Sequence, residues 1–314
     1  MLAAGLVGLL AASGACGGRA PDAVFIGTGP TAGVYYPYGQ ALATIFGTNL
    51  PQTAFSAIET SASVDNLKLL HNGGVDLALT LADTLAEARA GTGSFAETGP
   101  IAVYSIATLY TNYTHLIVPA ESGITQVTDL RGRRVATGAA GSGTEVLAMR
   151  ILTAAGLDPD ADLTRVALNL GPATTALRAG TIDALFWSGG IPTPGVQALA
   201  GEFDITLVPH GVLSEALQNR YGPQLYRTHD VLANAYRGVR QDVSVVGVPN
   251  ILVASDRLPP AFVQRLTEIL FGANETLSLL LPEARALAWP AHPNTTPAPF
   301  HPGALRYYEA QVWR

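Results

Sequence analysis

Residues 128–156 read TDLRGRRVATGAAGSGTEVLAMRILTAAG, and their pattern decides the fold. Residues 133–138 have the character of a short strand. Gly138 to Thr144 then form a loop of small residues that leaves room for a ligand. Ser142-Gly143-Thr144-Glu145 is a capping-box sequence, and Val146, Leu147, Met149, Ile151 and Leu152 continue it with helical spacing. A strand that ends in small residues at a capped helix start makes an anion site. The first amides of a helix have no acceptor within it, and its dipole favours negative charge there. The plainer alternative is that Ser142 only caps its own helix and the glycines, Gly141 and Gly143 included, only turn the chain.

The same alternation runs outward in both directions. Toward the N-terminus, strands at 24–26, 53–58 and 76–80 alternate with helices at 38–46, 64–70 and 84–90, the last opened by Asp83. This βαβαβ series implies a parallel sheet with ligands at the carboxyl ends of its strands. A second series has strands at 116–118, 133–137, 164–168 and 182–187 and a helix at 173–178. Residues 245–254 form a strand with Pro249 inside it, which makes it an edge or a crossing segment. An amphipathic helix at 260–272 and a Pro/Asn-rich wrapped loop at 290–302 complete the chain. Two series separated at 116–118 and rejoined at 245–254 predict two lobes, 23–113 with 248–314 and 114–247, joined by two crossings that act as a hinge.

Composition narrows the function classes. The chain has 314 residues, enough for two domains of about 130–150 residues each. Hydrophobic content is 48% and charged content 13%, which fits a packed globular protein. The net charge is −6, and Arg131–Arg134 is the longest basic cluster, so no nucleic-acid partner is expected. The six histidines at 71, 115, 210, 229, 292 and 301 lack metal-ligand spacing, so no metal and no cofactor are expected. Residues 1–22 read as a leader and tether. Residues 2–12 are apolar and too short to span a bilayer, and Cys16 is the single cysteine, placed as a lipoprotein acceptor would be. Export, with membrane contact only through a lipid anchor at Cys16, follows as an expectation.

Gly27-Thr28-Gly29-Pro30-Thr31-Ala32 fits a dinucleotide-binding fingerprint, but Pro37 would fall well inside the helix such a fold needs. A glycine turn presenting Thr28, Tyr35 and Tyr36 to a cleft is the favoured reading; each tyrosine has core packing as its alternative. No serine occupies a G-x-S-x-G motif and no phosphate loop ends in Gly-Lys. The strand ends instead carry small polar residues: Thr28, Thr60-Ser61, Thr80, Ser142-Gly143-Thr144 and Ser188-Gly189-Gly190. Donors of this kind orient a ligand and leave it unchanged.

Five segments in order carry a family resemblance: GTGPTAGVYYPYGQALATIF at 27–46, ETSASVDNLKLLHNGGVDLAL at 59–79, DLRGRRVATGAAGSGTEVLAMRIL at 129–152, LRAGTIDALFWSGGIPTPGVQALA at 177–200 and HPGALRYYEA at 301–310. The chain resembles the TAXI solute-binding proteins, the TRAP-associated extracytoplasmic immunogenic family. The resemblance implies an α/β, two-lobed periplasmic-binding-protein-like fold of type II, with a ligand cleft between lobes and two crossover strands. It implies a periplasmic, monomeric receptor that passes a small carboxylate ligand to a TRAP-type membrane permease. Glutamate-like amino acids and 2-oxo or dicarboxylic acids are the implied ligands. Leu81 stands where family members often carry Gln. A receptor for a sensor kinase, a receptor for an ATP-driven importer, and an enzyme on the same fold are the alternatives.

The expected site places a carboxylate on the amides of Ser142-Gly143-Thr144 and the Thr144 hydroxyl. Thr28, Tyr36 and Thr60-Ser61 contribute from the first lobe, and Ser188-Gly189 close the floor. Glu145 and Asp83 are the acids that would receive an ammonium if the ligand is an amino acid. No arginine lies in these loops, and Arg150 and Arg178 are read as solvated helix residues.

Overall fold

The computed structural model describes residues 19–287 and 289–311. The leader and Cys16 lie outside the described residues. The first series comprises β1 (Ala23–Gly27), α1 (Tyr35–Asn49), β2 (Ala54–Ile58), α2 (Ser63–Asn72), β3 (Leu77–Leu81) and α3 (Ala82–Ala90). β1 pairs in parallel with β2 and β3. α1 starts at Tyr35, so Pro37 sits in the first helical turn, where a missing N–H breaks no intrahelical bond.

A long strand, β4 (Val103–Pro119), leads into the second series: β5 (Arg134–Ala136), α4 (Gly143–Ala154), β6 (Thr164–Val166), α5 (Leu170–Arg178), β7 (Ala184–Gly189), α6 (Pro194–Glu202) and β8 (Ile205–Leu207). α7 (Ser214–Tyr221) and β9 (Arg227–Val231) follow. β10 (Val243–Ser255) returns the chain to the first series, and α8 (Pro260–Gly272), α9 (Asn274–Leu280) and α10 (Pro302–Gln311) pack there. The strand order is β2-β1-β3-β10-β4-β7-β5-β6, with β8 beside β4 and β9 beside β10. The sheet is therefore hydrogen-bonded from end to end, with β4 and β10 passing between its two parallel sections.

β4 is far longer than the strand expected at 116–118. Its first part pairs antiparallel with β10, from Val103↔Ser255 to Tyr113↔Gly247, and its second part pairs with β7 and β8. β10 exchanges neighbours in the same way, leaving β9 at Gly247 and meeting β3 at Asn250. Pro249 falls between those two residues, so its missing N–H removes no ladder bond on that edge.

Three apolar clusters hold the layers. One packs α1, α8 and α10 on the first section, centred on Tyr38, Leu42, Phe46 and Tyr308. A second lies under α5 and α6 around Leu185, Val196 and Ile205. The third is continuous across both sections, joining Leu67, Leu81 and Leu85 to Leu147, Ile151 and Tyr226. Truncating a fully buried leucine such as Leu147 to alanine costs about 2–5 kcal/mol.

Candidate functional site

Four βα turns converge on one cleft. The residues at the starts of α1 (Val34, Tyr35), α2 (Ala62, Ser63), α4 (Ser142, Gly143) and α5 (Asn169, Leu170) all line it. The cleft is tight in this structure, with about 30 Å3 of free space for a water-sized molecule. Tyr110 and Asn112 of β4 and Trp187, Ser188 and Gly189 of β7 line it as well, with Leu81 and Leu168 among its apolar wall. None of the described lining residues carries a charged side chain.

The start of α4 is built as the sequence implied, with one shift. Ser142 is the N-cap, and its hydroxyl accepts the Glu145 amide at 3.0 Å. The Glu145 carboxylate accepts the Gly141 amide at 3.0 Å instead of the Ser142 amide, which donates to the Ala139 carbonyl. Gly138 and Gly141 hold positive φ of 101° and 76°, which only glycine tolerates cheaply. The amides of Gly143 and Thr144 have no acceptor among the described residues. The Thr144 hydroxyl accepts the Ser188 amide at 3.2 Å, tying α4 to β7.

The two sections of the sheet touch across the cleft. The Asp65 amide donates to the Gly141 carbonyl at 3.0 Å, and the Gly195 amide donates to the Ala32 carbonyl at 3.2 Å. A Cβ at Gly143 would come within 2.6 Å of the Ser63 hydroxyl, and one at Gly33 within 2.8 Å of the Trp187 ring. Those glycines let the sections approach this closely.

An uncharged hydrogen-bond chain crosses the cleft floor. The Tyr35 hydroxyl donates to Asn250 Oδ1, Asn250 Nδ2 donates to Asn112 Oδ1 at 2.7 Å, and Asn112 Nδ2 donates to the Ser188 hydroxyl at 3.2 Å. α1, both crossing strands and β7 are thereby linked. Burial keeps the Tyr35 phenol well above its ordinary range, so it stays a neutral donor. Asn112 and Asn250 are absent from the sequence expectation. The signal for both was a lone amide, poorly suited to strands, within each of two apolar strands.

Of the expected residues, Tyr35, Ser61, Ser142, Gly143, Thr144, Ser188 and Gly189 line the cleft. The others are placed elsewhere. The Thr28 hydroxyl donates to the Ile58 carbonyl at 2.6 Å, and the Thr60 hydroxyl donates to Asn66 Oδ1 at 2.7 Å. Thr80 is fully buried with its hydroxyl on the Leu81 carbonyl. Tyr36 is half-buried beside Tyr35 and outside the cleft lining, because adjacent helical residues point apart. Gly141 shapes the turn without lining the cleft, and Glu145 faces a different cavity.

Asp83 and Arg150 are where the structure departs most from expectation. Arg150 is 6% exposed and not solvated. Its guanidinium donates to Asp83 at 3.0 Å and also to Glu87 and the Tyr226 hydroxyl; the Tyr226 hydroxyl in turn donates to Asp83 at 3.0 Å. Arg150 also lies over the Tyr221 ring, 4.1 Å from its centroid. The cluster joins α3 to α4 beside a second, open cavity of about 770 Å3, lined by Asp83, Glu87, Glu145, Arg150, Arg165 and Arg220. Arg178 is exposed, paired with Glu202.

The described residues contain no group of three or more His, Cys, Asp or Glu able to hold a metal ion, and no helix among them is long and apolar enough to cross a membrane.

Two parallel sections joined by two shared crossing strands, with a cleft at the carboxyl ends of both, define the two-lobed fold of periplasmic binding proteins. The chain belongs to the NMT1-like family, a periplasmic solute-binding protein family, whose model matches residues 26–311. Among solved structures it is similar to the alkanesulfonate-binding protein SsuA from Xanthomonas axonopodis pv. citri bound to MOPS. That likeness has 20% identity and a TM-score of 0.53 over 86% of each chain. It is also similar to a protein of Bordetella bronchiseptica RB50, at 18% identity and TM-score 0.55 over 93% of this chain and 90% of that one. A mutant of ArgBP from T. maritima matches at 10% identity and TM-score 0.52, over 84% of this chain and 95% of that one. These likenesses carry the fold. The family match reaches the solute-binding family and not the narrower TAXI group.

Proposed function

We propose that the protein is the extracytoplasmic receptor of a TRAP-type secondary transporter. In this reading it captures a small organic anion, of the glutamate-like, 2-oxo or dicarboxylic kind, by closure of two lobes. The lobes are residues 23–113 with 248–314, and residues 114–247. The observation that carries the reading is the pair of unpartnered amides of Gly143 and Thr144, presented at the start of α4 inside a cleft shared by both sections. Such amides take a carboxylate without charge neutralisation by a side chain, and the helix dipole adds to the attraction. Contacts from both sections then favour the closed state once ligand is present.

The protein acts by binding and release and not as a catalyst. The two acids expected at the site are engaged elsewhere, Asp83 with Arg150 and Glu145 with the Gly141 amide. Neutral donors also suit release, because charge-assisted hydrogen bonds are roughly twice as strong. Cys16 serves as the lipid attachment point, and Cys16→Ser is expected to move the protein out of the membrane fraction.

Thermal-shift screening of small carboxylates tests the reading. Ligand at about 100 times its dissociation constant stabilises by about 2.7 kcal/mol. A carboxylate that raises the melting temperature and is recovered unchanged supports it; turnover of the compound refutes it. Co-purification with a multi-span permease, rather than with an ATPase-coupled importer or a sensor kinase, tests the partner.

A further inference from the structure

We propose that the cleft selects an organic anion that carries no ammonium group, a narrowing that rests on the receptor reading above. Four helices, α1 at Tyr35, α2 at Ser63, α4 at Gly143 and α5 at Leu170, begin at the cleft wall. Each helix start is equivalent to roughly half a positive charge; Asp65 and Glu145 in the first turns of α2 and α4 offset it there, while the starts of α1 and α5 carry no acid and favour an anion over a cation. An ammonium is held best by a carboxylate, and no described lining residue carries one; the acceptors there are neutral hydroxyl and amide oxygens. A second feature points to a ligand independently. Tyr110 is 3% exposed and lines the cleft, yet its hydroxyl has no hydrogen-bond partner among the described residues. Buried hydroxyls are ordinarily satisfied; those of Tyr38, Thr114, Ser214 and Thr295 are also unpaired among the described residues but stand outside the cleft lining, so Tyr110 is the one placed to meet a ligand oxygen.

Glu283 is the rival. It stands outside the lining but lies against Gly190, where an added Cβ would be 2.7 Å from its carboxylate oxygen. Burial raises its carboxyl above the ordinary range. If the ligand carried an amine, this group would be its acceptor.

Calorimetric titration of the full chain with matched pairs decides between them. The pairs are 2-oxoglutarate with L-glutamate and 4-methyl-2-oxopentanoate with L-leucine, together with the 2-amino counterpart of any other carboxylate found by screening. The oxo or unsubstituted acid is expected to bind at least tenfold more tightly than its amino partner. Tyr110→Phe is expected to weaken that binding several-fold without lowering the melting temperature of the unliganded protein. An amino acid that binds as tightly as its partner overturns the proposal, and loss of that binding in Glu283→Gln would assign the ammonium to Glu283. Unchanged affinity in Tyr110→Phe overturns the placement of the anion. If no carboxylate binds at all, the receptor reading itself fails and this proposal with it.

Discussion

The cleft lies at the start of α4 and the Arg150 cluster two turns further along it, and they handle polarity in opposite ways. The cleft keeps neutral donors and leaves some unpaired, namely the amides of Gly143 and Thr144 and the hydroxyl of Tyr110. The cluster buries three charges and pairs all of them, with Asp83, Glu87, Tyr226 and Tyr221 enclosing one guanidinium. Unsatisfied polar groups cost free energy in a folded protein unless something else fills them, so the first pattern marks a place for a ligand. The second pattern marks structure: it fixes α4, and therefore the anion-binding amides two turns earlier, against α3.

The largest effect separates the two regions outright. Arg150→Met leaves Asp83 and Glu87 uncompensated and is expected to cost about 3–5 kcal/mol of folding stability in urea titration. A loss below about 1 kcal/mol would mean that the cluster is not structural. A solvent pH scan probes the frame next. Burial holds His115 and His210 each down to about 4 from 6.5, so both stay neutral in the folded protein while the unfolded chain takes up protons. The unfolded state therefore binds more protons between those values. Stability is expected to fall as the pH drops from about 6.5 to about 4, with a slope of up to roughly 1.4 kcal/mol per pH unit for each imidazole. A flat urea midpoint across that window would contradict the buried, neutral assignment.

Within the cleft, Thr144→Val keeps the side-chain shape and removes the hydroxyl. It is expected to weaken ligand binding by about 1–2 kcal/mol in calorimetry, whereas unchanged affinity would remove Thr144 from the site. The smallest effect belongs to the cap. Ser142→Ala frees the Glu145 amide and should cost about 1 kcal/mol of stability, measured as a shift in urea midpoint.

What the sequence disclosed follows the same division. The start of α4 was legible because its chemistry is local: glycines for the turn, Ser142 for the cap, and apolar residues at helical spacing. The two crossing strands were half legible, since residues 245–254 read as a strand while the first part of β4 did not separate from its surroundings. The Arg150 cluster was hidden because its partners lie 63 to 76 residues away in the chain. A trace of it existed: Arg150 falls on the same helical face as Leu147 and Ile151, the buried one. Thr28 and Thr60 looked available because strand-end hydroxyls usually are, yet both are consumed by neighbouring chain. Whether Tyr35 or Tyr36 entered the cleft depended on the start of α1, which Pro37 tolerates one turn later than a dinucleotide fold would allow.

The most direct test is a crystal structure of the full chain with the tightest carboxylate from the screen. The account predicts a carboxylate oxygen about 2.7–3.2 Å from the amides of Gly143 and Thr144, with no arginine in contact and the Arg150 cluster unchanged. A carboxylate seated instead in the arginine-lined cavity beside Arg150, or against any guanidinium, would contradict it.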